Sequence, residues 1–157
     1  MSSLLWNLAL ALAWVAVTGD LSGSNLILGF GLGFLVLFFT APILGTPAYV
    51  RKVIRVLSLV LFFAWELVLA NLRVAYEVLT PGYQLRPGVI AIPLEARTDA
   101  EIMLLTTLIS LTPGSVCLDV SADRRELYLH AMYIDDPDQV RRQIKDGFER
   151  RVLEVLR

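Results

Sequence analysis

Few residues in this chain could do chemistry, and they do not cluster. Glu66 is the sharpest: it is the one carboxylate inside the apolar stretch 56–70. An ionisable group inside a membrane segment is by default a proton or cation ligand. The competing expectations are that Glu66 lies near an interface, or pairs with Arg73 or with a partner's basic group. His130, the only histidine, sits between Leu129 and Ala131 on an alternating segment and reads as structural. Cys117, the only cysteine, lies among apolar neighbours and reads as a buried, inert thiol. Asp135, Asp136 and Asp138 suggest a cation site at first sight, but acidic side chains at a helix N-terminus satisfy the helix dipole. No phosphate-cradling glycine loop, metal-spaced cluster or nucleophile elbow is present. The residues alone therefore lead us to expect no enzyme, no catalytic residue, no metal and no cofactor.

The elements that must hold these residues are unusually apolar. Of 157 residues, 56% are hydrophobic and 18% charged, and the mean hydropathy is +0.64; soluble domains are about 45–50% apolar and about 25% charged. Disorder is excluded by this composition, and a disulfide framework by the single cysteine. A formal net charge of -1 gives no basic signature for nucleic acid. Before residue 80 the only charges are Arg51, Lys52, Arg55 and Arg73 against Asp20, Glu66 and Glu77, so the other 10 basic and 12 acidic side chains fall later. We therefore expect a transmembrane helical region over 1–79, a linker at 80–85 beginning Thr80-Pro81-Gly82, and a small soluble domain over 86–157.

Residues 4–17 and 26–43 are two apolar runs separated by a turn-rich segment, 18–25. No basic n-region or small-x-small cleavage site marks a signal peptide, so the pair reads as a short helical hairpin. At ~1.5 Å per residue each helix falls short of a ~30 Å hydrocarbon core; such helices cross a thinned bilayer or hide inside a larger assembly. Gly29 and Gly33 form a small-xxx-small pair that permits close helix approach. Pro42, Gly45 and Pro47 are expected to break the chain before a third helix over 48–79. At 100° per residue Arg51, Arg55, Ser58, Glu66, Arg73 and Glu77 share one stripe, interrupted by Phe62 and Leu69. The stripe fits an amphipathic helix on the membrane surface or a spanning helix whose polar side meets protein. Length and the apolar centre favour spanning, which makes Arg55, Ser58, Arg73 and Glu77 partner-interface candidates beside Gly29 and Gly33. The basic cluster Arg51, Lys52, Arg55 prefers the cytoplasm. Yet three crossings would put it opposite the C-terminal domain, which we also place in the cytoplasm.

From residue 86 onward strand and helix signals alternate. Segment 89–92 reads as an edge strand between Pro87 and Pro93. Thr98-Asp99-Ala100-Glu101 is a capping box opening a helix that stops near Pro113-Gly114. Residues 115–120 and 127–131 form a hairpin, with Val116, Leu118 and Val120 on one face, and Asp136-Pro137 starts a final helix. Val140, Ile144, Phe148, Val152 and Val155 line its inner side. The order is β-α-β-β-α, a small α+β sandwich in the ferredoxin-like style. The helix at 102–111 is greasier than such a sheet can cover, so part of it is expected to dock on membrane or a partner.

One motif string carries a resemblance. Arg86-Pro87-Gly88-Val89, Pro93-Leu94-Glu95 and Thr98-Asp99-Ala100-Glu101 run into Leu108-Ile109-Ser110-Leu111-Thr112-Pro113-Gly114-Ser115, with Leu127-Tyr128-Leu129-His130-Ala131 downstream. With the hairpin and Glu66-Leu67-Val68-Leu69-Ala70-Asn71, the whole chain resembles the E subunit of the multisubunit Mrp-type (Mnh) sodium/proton antiporter. The resemblance implies a multi-pass cell-membrane protein. It would act as an accessory subunit needed for assembly and antiport, and so for pH homeostasis and salt tolerance. Its partners would be the other subunits of the complex and the lipid bilayer. It transfers no catalytic residue to a position here. A self-assembling small channel, or a membrane-anchored sensor or binding domain, is the alternative.

Overall fold

The computed structural model describes residues 3–44, 47–80 and 86–157. They divide into two compact units, with the boundary between Ile54 and Arg55.

The first unit is the helical hairpin, α1 (Ser3–Thr18) and α2 (Gly23–Leu44), with the first turns of α3 (Pro47–Leu79). Gly19, at φ +68°, ends α1 in the left-handed conformation, its amide bonded to the Val15 carbonyl at 3.0 Å. The segment expected as linker is partly helix. Ser22 Oγ accepts the Asn25 amide at 3.3 Å, and the Asp20 carboxylate accepts the Ser22 amide at 2.9 Å. This cap turns Gly23, Ser24 and Asn25 into the first turn of α2. Pro42 does not end the helix either, because α2 runs on to Leu44. At 22 residues α2 reaches about 33 Å, while the 16 residues of α1 reach about 24 Å, so only α1 is shorter than the ~30 Å hydrocarbon core. By length and composition α2 and α3 are each able to cross a membrane. The expected break at Gly45 lies outside the described residues, as does 81–85 of the expected linker.

The second unit contains the rest of α3 and a three-stranded sheet of β1 (Gly88–Pro93), β2 (Ser115–Val120) and β3 (Glu126–Ala131), ordered β1-β3-β2. β1 and β2 each pair antiparallel with β3, so the edge position expected for β1 holds. α4 (Asp99–Leu111) joins β1 to β2, and its capping box forms: Thr98 Oγ1 accepts the Glu101 amide while Glu101 accepts the Thr98 amide. α5 (Pro137–Arg142) passes through a π-helical stretch, Gln143–Glu149, into α6 (Arg150–Leu156). Within the π stretch Ile144, Phe148 and Glu149 all face inward.

The core holds Ile90, Ile92, Leu105, Ile109, Leu127, Leu129, Ile144, Phe148 and Val152, and also Leu59 of α3. Phe62 and Phe63 pack against it. That is why the second unit starts at Arg55 rather than at residue 86. Two expectations about side-chain facing change. A bulge between Cys117 and Asp119 shifts the phase of β2, so Cys117 and Val120 pack on the core while Val116 and Leu118 are exposed. α4 buries Leu105 and Ile109, with Ile102, Leu104 and Leu108 packed on the core, leaving Met103 and Leu111 outside. It is largely an ordinary core helix.

Candidate functional site

Glu66 opens into a cleft of ≈ 370 Å³ within the second unit. α3 supplies Phe62, Glu66 and Arg73 on one side, and the helix containing Gly147, Arg150 and Arg151 supplies the other. The turn Thr112-Pro113-Gly114-Ser115 closes one end. α3 approaches closely at Gly147, where a Cβ would stand 2.9 Å from Phe62 Cζ. The Phe62 ring meets Phe148 edge-on at 5.1 Å, and the Arg151 guanidinium lies 3.9 Å over it. Gly114, at φ +89°, is required by its backbone angle, and Tyr133 Cε2 would lie 3.3 Å from an added Cβ.

Electrostatically the cleft is mixed. Arg73, Arg150 and Arg151 line it with Glu66 and Asp146. Arg150 and Arg151 bond carbonyls of their own helix, and Arg73 stands 5.6 Å over the Tyr133 ring. Among the described residues, no hydrogen bond or ion pair holds the half-buried Glu66 carboxylate, so the expected pairing with Arg73 does not form. Such a carboxylate can hold a proton or receive a cationic group from outside the chain.

Of the other candidates, Arg55, Arg73, Gly29 and Gly33 meet partners within their own unit. Arg55 Nη1 donates to the Glu154 carbonyl at 3.0 Å, and Arg73 and Glu77 line a smaller polar hollow with Tyr133 and Asp135. Ser58 is exposed. Gly29 and Gly33 do what a small-xxx-small pair permits. A Cβ on Gly29 would lie 2.9 Å from Trp14 Cδ1, one on Gly33 would run into Asn7 Oδ1, and Gly31 faces open space. Asp135, Asp136 and Asp138 are taken up locally by Arg86, Arg142 and Arg141. His130 is half-buried on β3, paired in register with Val89 and Val116. Burial pushes the Cys117 thiol up, partly offset by Ser110.

Two carboxylates matter more than the sequence suggests. Glu149, 2% exposed, accepts the amides of Glu95 at 2.6 Å and Ala96 at 2.9 Å, and Lys145 lies 3.4 Å away. Glu101 accepts Arg157 Nε at 2.9 Å and the amides of Arg97 and Thr98. The Arg157 bond first, then the two amides, lower its pKa to about 2. Together they fix the β1–α4 loop. The capping box signalled Glu101; nothing local signalled Glu149, because the π turn decides its direction. In the first unit Asn7 is fully buried, its Nδ2 donating to Tyr49 Oη at 2.9 Å, and Trp14 Nε1 donates to Asn25 Oδ1 at 2.9 Å.

The family model for MNHE, described as Na+/H+ ion antiporter subunit, matches residues 7–155. The chain is 39% identical over 154 residues to the E subunit of the Na(+)/H(+) antiporter of Bacillus subtilis (strain 168), covering 98% of each. It belongs to the family of Na+/H+ antiporter E subunits. A chain of the Mrp complex from Dietzia sp. DQ12-45-1b is similar at 28% identity and TM-score 0.50, over 66% of this chain and 96% of that one. A chain of the membrane-bound sulfane sulfur reductase, an archaeal respiratory membrane complex, aligns at 25% identity and TM-score 0.54, over 97% and 98%. In this family member, the Thr112–Ser115 turn that anchors the sequence resemblance is also the turn that closes the Glu66 cleft.

Proposed function

We propose that this chain is an accessory membrane subunit of a multisubunit Na+/H+ antiporter, needed for assembly and antiport and through them for pH homeostasis and salt tolerance. Membership of the E-subunit family over nearly its whole length carries this reading. The physics supports it: Leu4, Trp6, Leu12, Ile27, Leu35 and Phe39 on the hairpin are all exposed and need lipid or protein to cover them. The first half, 1–79, is the membrane part, and 86–157 is a cytoplasmic domain. Its β-α-β-β-α order with sheet order β1-β3-β2 corresponds to a ferredoxin-like sandwich lacking a fourth strand. The partners are the other subunits and the bilayer.

Within that role the unpaired Glu66 carboxylate, sharing a cleft with Arg73, is an interface residue for a basic group of a neighbouring subunit. Its position on the domain-facing side of α3 favours this over an ion path.

The test is a mild-detergent affinity purification of the tagged chain from its native membrane, with mass spectrometry of every co-purifying protein. Large antiporter subunits in fixed ratio are expected. Recovery of this chain alone, as a discrete oligomer, would overturn the assignment in favour of a self-assembling channel or anchored binding domain.

A further inference from the structure

α3 qualifies as a membrane span by length and composition, but its packing argues against a crossing. Contacts between α3 and the sheet domain begin at Arg55, which bonds the Glu154 carbonyl. They continue through Leu59 in the core and Phe62 on Gly147 and Phe148, and end at Arg73 against Tyr133. The 18 steps from Arg55 to Arg73, at ~1.5 Å each, cover about 27 Å, nearly the whole ~30 Å of hydrocarbon. A spanning α3 that kept these contacts would carry Asp146, Arg150 and Arg151 into the bilayer beside it. Charge there is tolerated only when protein or water surrounds it.

The other side of α3 has the opposite character. Leu57, Val60, Leu61, Trp65, Val68 and Leu72 are 51–69% exposed. At 100° per residue every charged side chain of α3 falls within an arc of roughly 100°, and this apolar face lies opposite it. A helix with one face committed to a charged domain and a broad apolar face carrying an exposed tryptophan fits the headgroup and acyl boundary. We infer that α3 from Arg55 onward lies in the plane of the membrane, with its Leu57–Val60–Leu61–Trp65–Val68–Leu72 face set into lipid. The sheet domain is held against the bilayer by the opposite face.

This inference rests on the α1–α2 hairpin being inserted in the membrane, and it removes a conflict. A hairpin returns the chain to the side from which it entered. With α3 in the plane, the basic cluster Arg51, Lys52, Arg55 and the domain stay on one side, as the preference of basic residues for the cytoplasm requires. A third crossing would separate them.

Single cysteines in the assembled complex test this, with the native chain labelled in parallel to supply the Cys117 background. Lys52→Cys and Gln139→Cys should react with a membrane-impermeant maleimide from the same side of sealed vesicles; labelling from opposite sides would overturn the inference. Nitroxides at Leu61→Cys, Trp65→Cys, Val68→Cys and Leu72→Cys should report depths within about 5 Å of one another near the headgroups. A spanning helix gives a spread of about 16 Å between the first and last of these. That spread, or four sites all open to water, or four shielded from lipid by another subunit, would equally overturn it. Co-purification of the other subunits with each variant shows that the complex has assembled, so a failed pull-down of the native chain stays separate from a failed depth measurement.

Discussion

At the residue scale, buried carboxylates with backbone partners outweigh the isolated one. Glu101 is held ionised by Arg157 and two amides, with a pKa of about 2. A carboxylate whose pKa is lowered by folding adds stability above its ordinary range, and loses it as pH falls toward the folded value. Glu101→Gln should therefore be less stable than the native chain at neutral pH. The gap should close between about pH 4.5 and pH 2, as read by acid unfolding of the purified complex. A gap unchanged at pH 2 would mean that packing, not charge, accounts for it. Thr98→Ala removes the other half of the capping box and should cost about 0.5–2 kcal/mol in the same experiment. Glu66 is different because, among the described residues, no hydrogen bond or ion pair holds it. Glu66→Gln should leave the fold alone and weaken retention of this chain in the complex by up to about fivefold, near the 1 kcal/mol of an exposed pair. Antiport per assembled complex should stay within about twofold. Abolished antiport in a fully assembled complex would return Glu66 to an ion path. The sequence singled out Glu66 as the odd charge. It could not show that Arg73, seven residues on, turns to Tyr133 instead.

At the element scale, the two helix contacts depend on glycines of different legibility. Gly29 and Gly33 were readable, because a four-residue spacing places both on one face. The structure separates them from Gly31, which faces open space. Gly33→Ala should loosen α1 from α2, since Asn7 cannot move without leaving Tyr49, whereas Gly31→Ala should be neutral. Recovery of intact protein after detergent challenge distinguishes them; equal recovery of the two variants would show that the approach of Gly33 to Asn7 does not hold the hairpin together. Gly147 was not readable. It supports α3 only because the chain returns 85 residues later to meet Phe62. Gly147→Ala should cost about 1–3 kcal/mol of overpacking, measured as increased protease sensitivity of residues 55–79 in the complex. Unchanged cleavage would show that the Phe62 ring rotates away freely. The π-helical stretch was also out of reach of sequence. There Glu149 turns inward to accept the amides of Glu95 and Ala96, partners more than 50 residues away in the chain.

At the scale of the whole molecule, exposed apolar surface is the dominant fact. The hairpin and the outer side of α3 present exposed leucine, valine, phenylalanine and tryptophan side chains that none of the described residues covers. Removed from its partners, such a protein exposes surface that quality-control proteases and aggregation both act upon. Synthesised without the other subunits, it should turn over several-fold faster in pulse–chase than in their presence. Equal lifetimes would argue that it is self-sufficient.

The sequence by itself determined what composition, spacing and local chemistry can encode: an apolar first half, a charged second half, the close-packing glycines, the capping box and the resemblance to antiporter E subunits. These signals lie within a few residues of one another or average over a whole segment. The tertiary structure alone decided what α3 packs against. Hydropathy favoured a membrane crossing, because it counts apolar residues without asking which face they share. Folding gave one face of α3 to the sheet domain through Leu59, Phe62 and Phe63 and left the other exposed. That choice depends on contacts between residues 55–73 and residues 112–154, a separation over which no periodicity in the sequence carries information.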